Sequence, residues 1–310
     1  MAHVLTLTLN PAVDVATSID KVIDTRKLRC SAAQRDPGGG GINVARVMQR
    51  LGGNCHALYL AGGATGLMLQ ELLDAEHVEA SCIDIAGETR ENFSVQETST
   101  GREYRFVLPG PVVTEREWQG CVARINALEV PPRYLVLSGS IPPGVPLDIY
   151  ARLARSAAAR GTRIVLDTSG PALAAALDAS VWLVKPSLNE LRELTRRPLA
   201  TEPEWRAAAH EIVREGRAAI VALTLGEQGA LLVTAGQTLR ARGLPVHVSS
   251  SVGAGDSFIA GMICKLDRDA GFDEAFRYGM AAASATLLVS GTARCKREDV
   301  ERLYNETSGA

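Results

Sequence analysis

The chain has 310 residues, 46% of them hydrophobic and 22% charged, with a net charge of −2. That length supports one or two domains around a large core, and the composition is globular. The charge supplies no basic surface for nucleic acid or an acidic membrane, and no apolar run approaches the roughly 20 residues of a membrane span. The six cysteines form no C-x-x-C pair and the N-terminus shows no signal peptide. Free thiols and a cytoplasmic setting are expected.

In chain order, short unbroken apolar runs read as strands buried on both faces of a parallel sheet: Val4–Leu9, His56–Gly62, Tyr134–Gly139, Arg163–Thr168, Trp182–Pro186 and Ala219–Gly226. Helical stretches lie between them at Ile42–Leu51, Gly66–Glu76, Leu147–Arg160 and Glu202–Glu215. The alternation predicts an α/β fold, a doubly wound and mostly parallel sheet with helices on both faces. Two segments break the rhythm, at about 11–37 and about 90–110. In the second, Phe93, Val95, Tyr104, Phe106 and Leu108 alternate with polar residues around a TSTG turn, which predicts a hairpin with one wet face. Together these segments suggest a small β-sheet lid inserted in a single domain spanning 1–310.

Two glycine clusters carry the chemistry. Gly38, Gly39, Gly40 and Gly41 run directly into the helix marked by Val44, Val47, Met48 and Leu51. Such a loop exposes backbone N–H groups and the positive end of the helix dipole, a setting for an anion or a closely packed hydroxylated ligand; a tight strand–helix connection is the alternative. Gly253, Ala254 and Gly255 likewise lead into a helix, with Asp256 at its start. There Asp256 is either a helix N-cap or a base beside a phosphate site. Phosphoryl transfer tolerates a weak base, because it depends mainly on positioning and charge stabilisation. The dipeptide Gly-Lys occurs nowhere, which excludes a P-loop. The protein-kinase signature is missing, and Asn-Pro-Ala-Val-Asp follows the first strand where a dinucleotide site needs G-x-G-x-x-G. The five histidines show no zinc spacing.

The runs GGGGINVARVMQRLGG and SSVGAGDSFIAGM resemble the two signatures of the ribokinase-like (PfkB) sugar kinases. The resemblance extends from TLTLNPAVD through KLRC, AGGATG, YRFVLPG, SGSIPPGV, VKP, LGEQGA and GTARC, and is greatest to the ribokinase-type 6-phosphofructokinases. It implies ATP-dependent phosphorylation of fructose 6-phosphate at the 1-hydroxyl. Relatives acting on fructose 1-phosphate or tagatose 6-phosphate carry Lys at the third position of the first cluster, which here is Gly40. Those two activities are the nearest alternatives. A catalytically silent sugar-phosphate sensor is the alternative of another class.

The resemblance also implies site roles. Asp14 and Asn43 would bind sugar hydroxyls, and Gly38–Gly41 would let the sugar approach the backbone. Arg90 would grip the sugar phosphate, assisted by Lys27 and Ser140. Lys185, one of only five lysines, would face the nucleotide phosphates, and Thr224, Gly226 and Gly229 would form the nucleotide loop. Asp256 would be the base and the amides of Gly253–Gly255 would stabilise the transferring phosphoryl group. Glu190 would organise hydrated Mg²⁺, but the family's paired Asn is Ser187 here. A potassium site at Ser250, Val252, Thr286, Val289 and Gly291 is implied through backbone oxygens. The apolar lid face is expected to pair in a homodimer.

Overall fold

A computed structural model describes residues 3–289, 291 and 294–308. Thirteen strands form among them: β1 (Val4–Thr8), β2 (Ala12–Ile19), β3 (Gln34–Gly38), β4 (Cys55–Ala61), β5 (Ala80–Asp84), β6 (Arg90–Glu97), β7 (Glu103–Phe106), β8 (Tyr134–Ser138), β9 (Arg163–Asp167), β10 (Val181–Val184), β11 (Ala218–Thr224), β12 (Ala230–Thr234) and β13 (Thr238–Ala241). Nine make one sheet in the order β13-β12-β11-β10-β9-β8-β1-β4-β5. Its strands are parallel from β11 to β5, while β12 and β13 run antiparallel at one edge.

Each apolar run expected from the sequence lies in this sheet, and alternate residues feed two separate cores. Tyr134 and Val136 of β8 join one cluster, and Leu135 and Leu137 join the other. Both faces are dry, so β1 and β8 are buried throughout, the threonines of β1 included. Helices α1 (Gly40–Arg50), α2 (Gly63–Ala75), α8 (Ala254–Leu266), α9 (Phe272–Leu287) and α10 (Arg297–Ser308) contribute to the first core. Helices α3 (Glu115–Asn126), α4 (Ile149–Ala158), α5 (Gly170–Leu177), α6 (Leu188–Thr195) and α7 (Glu202–Arg214) contribute to the second. None of the helices among the described residues is long and apolar enough to cross a membrane.

Three strands lie outside the sequence reading. β12 follows β11 after one 3-10 turn at Gly226–Gln228, too short for the helix that a β-then-α rhythm leads one to expect. β13 extends that hairpin, and β5 is a partly exposed edge. Helix α1 also differs from the one-sided helix read from Val44, Val47 and Met48. Every residue from Gly41 to Met48 is buried, because α1 is covered by α8 as well as by the sheet.

The four remaining strands form a small sheet in the order β3-β2-β6-β7. Strands β2 and β6 come from the two irregular segments and pair in parallel, Asp14 beside Asn92. The hairpin register sets Phe93 against Phe106 and Val95 against Tyr104, as the alternation requires, while Leu108 lies beyond β7. Among the described residues the aromatic face stays open: Phe93 is 40% and Phe106 56% exposed.

Candidate active site

From β1 the chain builds outward to β4 and β5, then returns to β8 on the other side and continues to β9, β10 and β11. Ligand crevices in such sheets open beyond the strand C-termini at this reversal. The first glycine cluster, Ser140, Asp167, Lys185 and Thr224 all fall at or just beyond those ends.

The glycine run brings α1 against the ends of β1 and β8. Gly39, the N-cap, has φ 114°, and a Cβ there would lie 2.7 Å from Thr8 Cγ2. Thr8 Oγ1 accepts the Ile42 N–H at 2.9 Å and so satisfies one free donor of the helix start. At Gly38 a Cβ would stand 2.4 Å from the Asp14 carboxylate, and at Gly40 2.2 Å from Ser138 Oγ. Asp14 is thereby held against backbone, with Oδ1 accepting from Asn92 Nδ2 at 2.9 Å.

The second cluster is the start of α8. Gly253 caps it in a left-handed conformation, φ 76°, with no side-chain capping bond. Asp256 therefore is not the N-cap: it is the third residue of the helix, in its first turn, and Oδ2 accepts from Asn43 Nδ2 at 2.8 Å. Part of its surface stays open to the cleft. Burial and the Asp167 charge nevertheless push its pKa up to about 6, with Arg294, the Asn43 bond and Lys185 pulling the other way. Lys185, 6% exposed, pairs with Asp167 Oδ1 at 3.0 Å. A Cβ on Gly255 would be 3.2 Å from Lys185 Nζ, so the ammonium stands against the loop. Burial opposes that charge, but the Asp167 and Glu190 carboxylates outweigh it and the Lys185 pKa is raised. The site thus combines a near-neutral carboxylate, a fixed ammonium and a helix N-terminus at which negative charge is stabilised.

Beyond Lys185, the Ser187 N–H donates to Glu190 Oε2 at 2.7 Å, and Glu190 N–H donates to Ser187 Oγ at 3.2 Å. This capping box at α6 turns both side chains back on the helix. Glu190 retains one oxygen outside it, a hard donor of the kind Mg²⁺ takes. Thr224 N–H and Oγ1 both reach Pro186 O, at 3.0 and 3.4 Å. Gly226 and Gly229, φ 62° and 92°, form the turn after Thr224.

Ser250 and Val252 approach Thr286 and Val289, because Ser249 N–H donates to Leu287 O at 2.7 Å. Val252 O accepts from Arg294 Nη1 at 3.5 Å and Thr286 O from Val289 N–H at 3.3 Å. Gly291 faces β2, a Cβ there lying 3.3 Å from Ala16 Cβ. These carbonyls are hard neutral donors, the chemistry an alkali cation takes.

At the start of β6, Arg90 is already engaged. Nε donates to Pro11 O (3.4 Å), Nη1 to Leu108 O (2.5 Å) and Nη2 to Asn10 O (2.9 Å) and Ser140 Oγ (3.4 Å). One N–H remains for a ligand. Asn10, absent from the sequence reading, donates to Pro109 O and Ser140 Oγ at 3.1 and 3.0 Å. Lys27 is exposed in the segment between β2 and β3. Arg294 and Asp167 were also missed. Asp167 is the polar end of an apolar strand, a recognisable signal at a strand C-terminus; Arg294 sits in the quoted GTARC run.

A fold with its crevice at the sheet's reversal, with two glycine-led helix starts facing an aspartate and a lysine, defines a phosphotransferase class. Residues 7–299 match the pfkB family carbohydrate kinases, and the chain belongs to that family. Among its relatives is the ATP-dependent 6-phosphofructokinase isozyme 2 of Mycobacterium tuberculosis, 46% identical over 302 residues, 97% of this chain and 89% of that one. The crystal structure of the phosphofructokinase-2 from Escherichia coli in complex with potassium superposes with a TM-score of 0.95 at 41% identity, covering 99% of this chain and 100% of the other. The same enzyme in complex with fructose-6-phosphate gives 0.94 at 40% identity, with the same coverage.

Proposed function

We propose that the protein is an ATP-dependent 6-phosphofructokinase that converts fructose 6-phosphate to fructose 1,6-bisphosphate. The observation that carries the reading is Asp256, held at about pKa 6 in the first turn of α8, with Lys185 Nζ against Gly255. A base of that strength is ionised at neutral pH yet retains affinity for a proton. Asp256 takes the proton of the 1-hydroxyl as its oxygen attacks the γ-phosphorus. The new P–O bond forms as the bond to the β-phosphate oxygen breaks, and ADP leaves. The N–H groups of Gly253–Gly255 and the Lys185 ammonium hold the charge of the transferring group.

Asp14 and Asn43 orient the sugar hydroxyls, Gly38–Gly41 admit the sugar to the backbone, and Ser140, Arg90 and Lys27 serve its phosphate. Thr224, Gly226 and Gly229 shape the nucleotide loop. Glu190, with Ser187 beside it, would hold hydrated Mg²⁺, which neutralises phosphate charge when bound. The carbonyls of Ser250, Val252, Thr286, Val289 and Gly291 would hold K⁺. The whole chain acts as one kinase domain in which segments 11–37 and 90–110 form a lid that excludes water. Two lids pair through Phe93 and Phe106 in a homodimer. The family and the free cysteines support a cytoplasmic enzyme.

An ADP-release assay over fructose 6-phosphate, fructose 1-phosphate and tagatose 6-phosphate tests this. The first is expected to give the highest kcat/KM; preference for either other sugar transfers the assignment to it, and silence on all three favours a sensor.

A further inference from the structure

Arg294 is among the largest fully buried side chains of the protein, 2% exposed, and no role in sugar, nucleotide or metal binding was expected of it. Its Nη2 donates to Asn43 Oδ1 at 2.7 Å, across 251 residues of chain. Asn43 in turn donates from Nδ2 to Asp256. A side-chain amide can sit in either of two orientations, with its oxygen and nitrogen exchanged. A guanidinium only donates, so the Asn43 oxygen must face Arg294 and the NH₂ must face Asp256. In the exchanged orientation a nitrogen would face a guanidinium and an oxygen would face a carboxylate. Arg294 thus enforces, from the end opposite Asp256, the polarity of a chain that ends on that carboxylate, fixing Oδ2 in a hydrogen bond and leaving Oδ1 for the proton of the substrate.

The position is built for this. Gly253 has no side chain where a Cβ would lie 2.8 Å from Arg294 Nη1. Arg294 O accepts from Arg50 Nη1 at 2.8 Å, and Arg50 Nη2 is held by Glu76 Oε2 at 3.2 Å. Both ends of Arg294 are anchored, its backbone through α1 and α2 and its guanidinium beneath the catalytic loop. A cation so thoroughly desolvated is costly unless its partners are well placed.

We propose that Arg294 is a positioning residue for phosphoryl transfer, acting through Asn43 to orient Asp256. The inference rests on Asp256 being the base, as argued above, but not on which sugar phosphate is used. The test is a cycle of steady-state kinetics on Arg294→Met, Asn43→Ala and the double variant, using whichever of the three sugar phosphates the unaltered enzyme turns over. Absence of turnover by the unaltered enzyme on all three would overturn both readings, whereas turnover that Arg294→Met leaves at full kcat would overturn this one alone. Arg294→Met is expected to lower kcat about 10- to 100-fold, with the KM for sugar changed by less than about threefold. On the Asn43→Ala background the same change should cost less than about twofold, because two residues acting as a unit are not additive. Arg294→Lys, which keeps a donor and the charge, should recover part of the loss. If the methionine variant does not fold, Asn43→Asp decides: it keeps the acceptor toward Arg294 but removes the donor toward Asp256, and kcat should fall as far. Additive losses, a loss confined to KM, a lysine variant no better than methionine, or full kcat in Asn43→Asp would each overturn the proposal.

Discussion

Lys185→Met removes the partner of a buried carboxylate and so makes a prediction about stability as well as activity. Lys185 is 6% exposed and lies 3.0 Å from Asp167 Oδ1, while burial already pushes the Asp167 pKa up. Without the ammonium, the cheapest outcome for Asp167 is to bind a proton. Relative to an unfolded carboxyl near 3.9, neutralising it costs about 4 kcal/mol at pH 7 and about 1.5 kcal/mol at pH 5. The former figure is within the range for breaking a buried ion pair. The sign follows from the raised folded pKa: the protonated form contributes stability that is complete below the unfolded pKa and lost as pH rises through the folded one. Chemical denaturation of the variant and the unaltered protein at pH 5, 6 and 7 should therefore show a deficit that shrinks by about 1.4 kcal/mol per unit of falling pH. Adding Asp167→Asn should recover most of the deficit at pH 7 while activity stays low, because Lys185 still no longer faces the catalytic loop. A pH-independent deficit, or one that Asp167→Asn leaves untouched, would refute the pairing argument.

Three further expectations follow from the same geometry. With Asp256 near 6, kcat at saturating substrates should be close to full above pH 7 and fall about tenfold per unit below pH 6; a flat profile down to pH 5 would exclude it as the titrating base. Ser187→Asn keeps a residue able to cap α6, so its melting temperature should shift little, while the amide reaches further toward the metal and should lower the Mg²⁺ needed for half-maximal rate by several-fold; unchanged Mg²⁺ dependence would remove Ser187 from metal handling. Phe106→Lys on the exposed aromatic face should convert a dimer into monomers in light scattering at micromolar protein, and a monomeric unaltered protein would sink the lid-paired assembly.

The parallel sheet was legible because its strands are buried on both sides and so appear as largely apolar runs, such as Tyr134–Ser138 between Pro132 and Gly139. Strands β12 and β13 were not, because a three-residue turn replaces the helix that marked the other boundaries. The glycine clusters announced close approach, but not that Gly38 packs on Asp14 or that Gly253 makes room for Arg294. Those are contacts between residues far apart in sequence. A lone lysine at a strand end is more often solvated, and only the fold places Asp167 beside Lys185. Arg294 lies in the GTARC run, which gave it no role of its own, since a lone arginine among many predicts a surface residue. Ser187 was recognised as a departure, whereas its reciprocal capping with Glu190 depends on helix geometry.

The central claim is that Asp256 is the base of a sugar-phosphate kinase, and the most direct measurement is the turnover of fructose 6-phosphate and MgATP by the unaltered enzyme and by Asp256→Asn. Asparagine preserves the shape and can still meet Asn43, but it cannot take up a proton at neutral pH. The account predicts robust ADP formation by the unaltered enzyme and a fall in kcat of about 10²- to 10⁴-fold in the variant, with the KM for sugar little changed. A variant that turns over at the unaltered rate would contradict it.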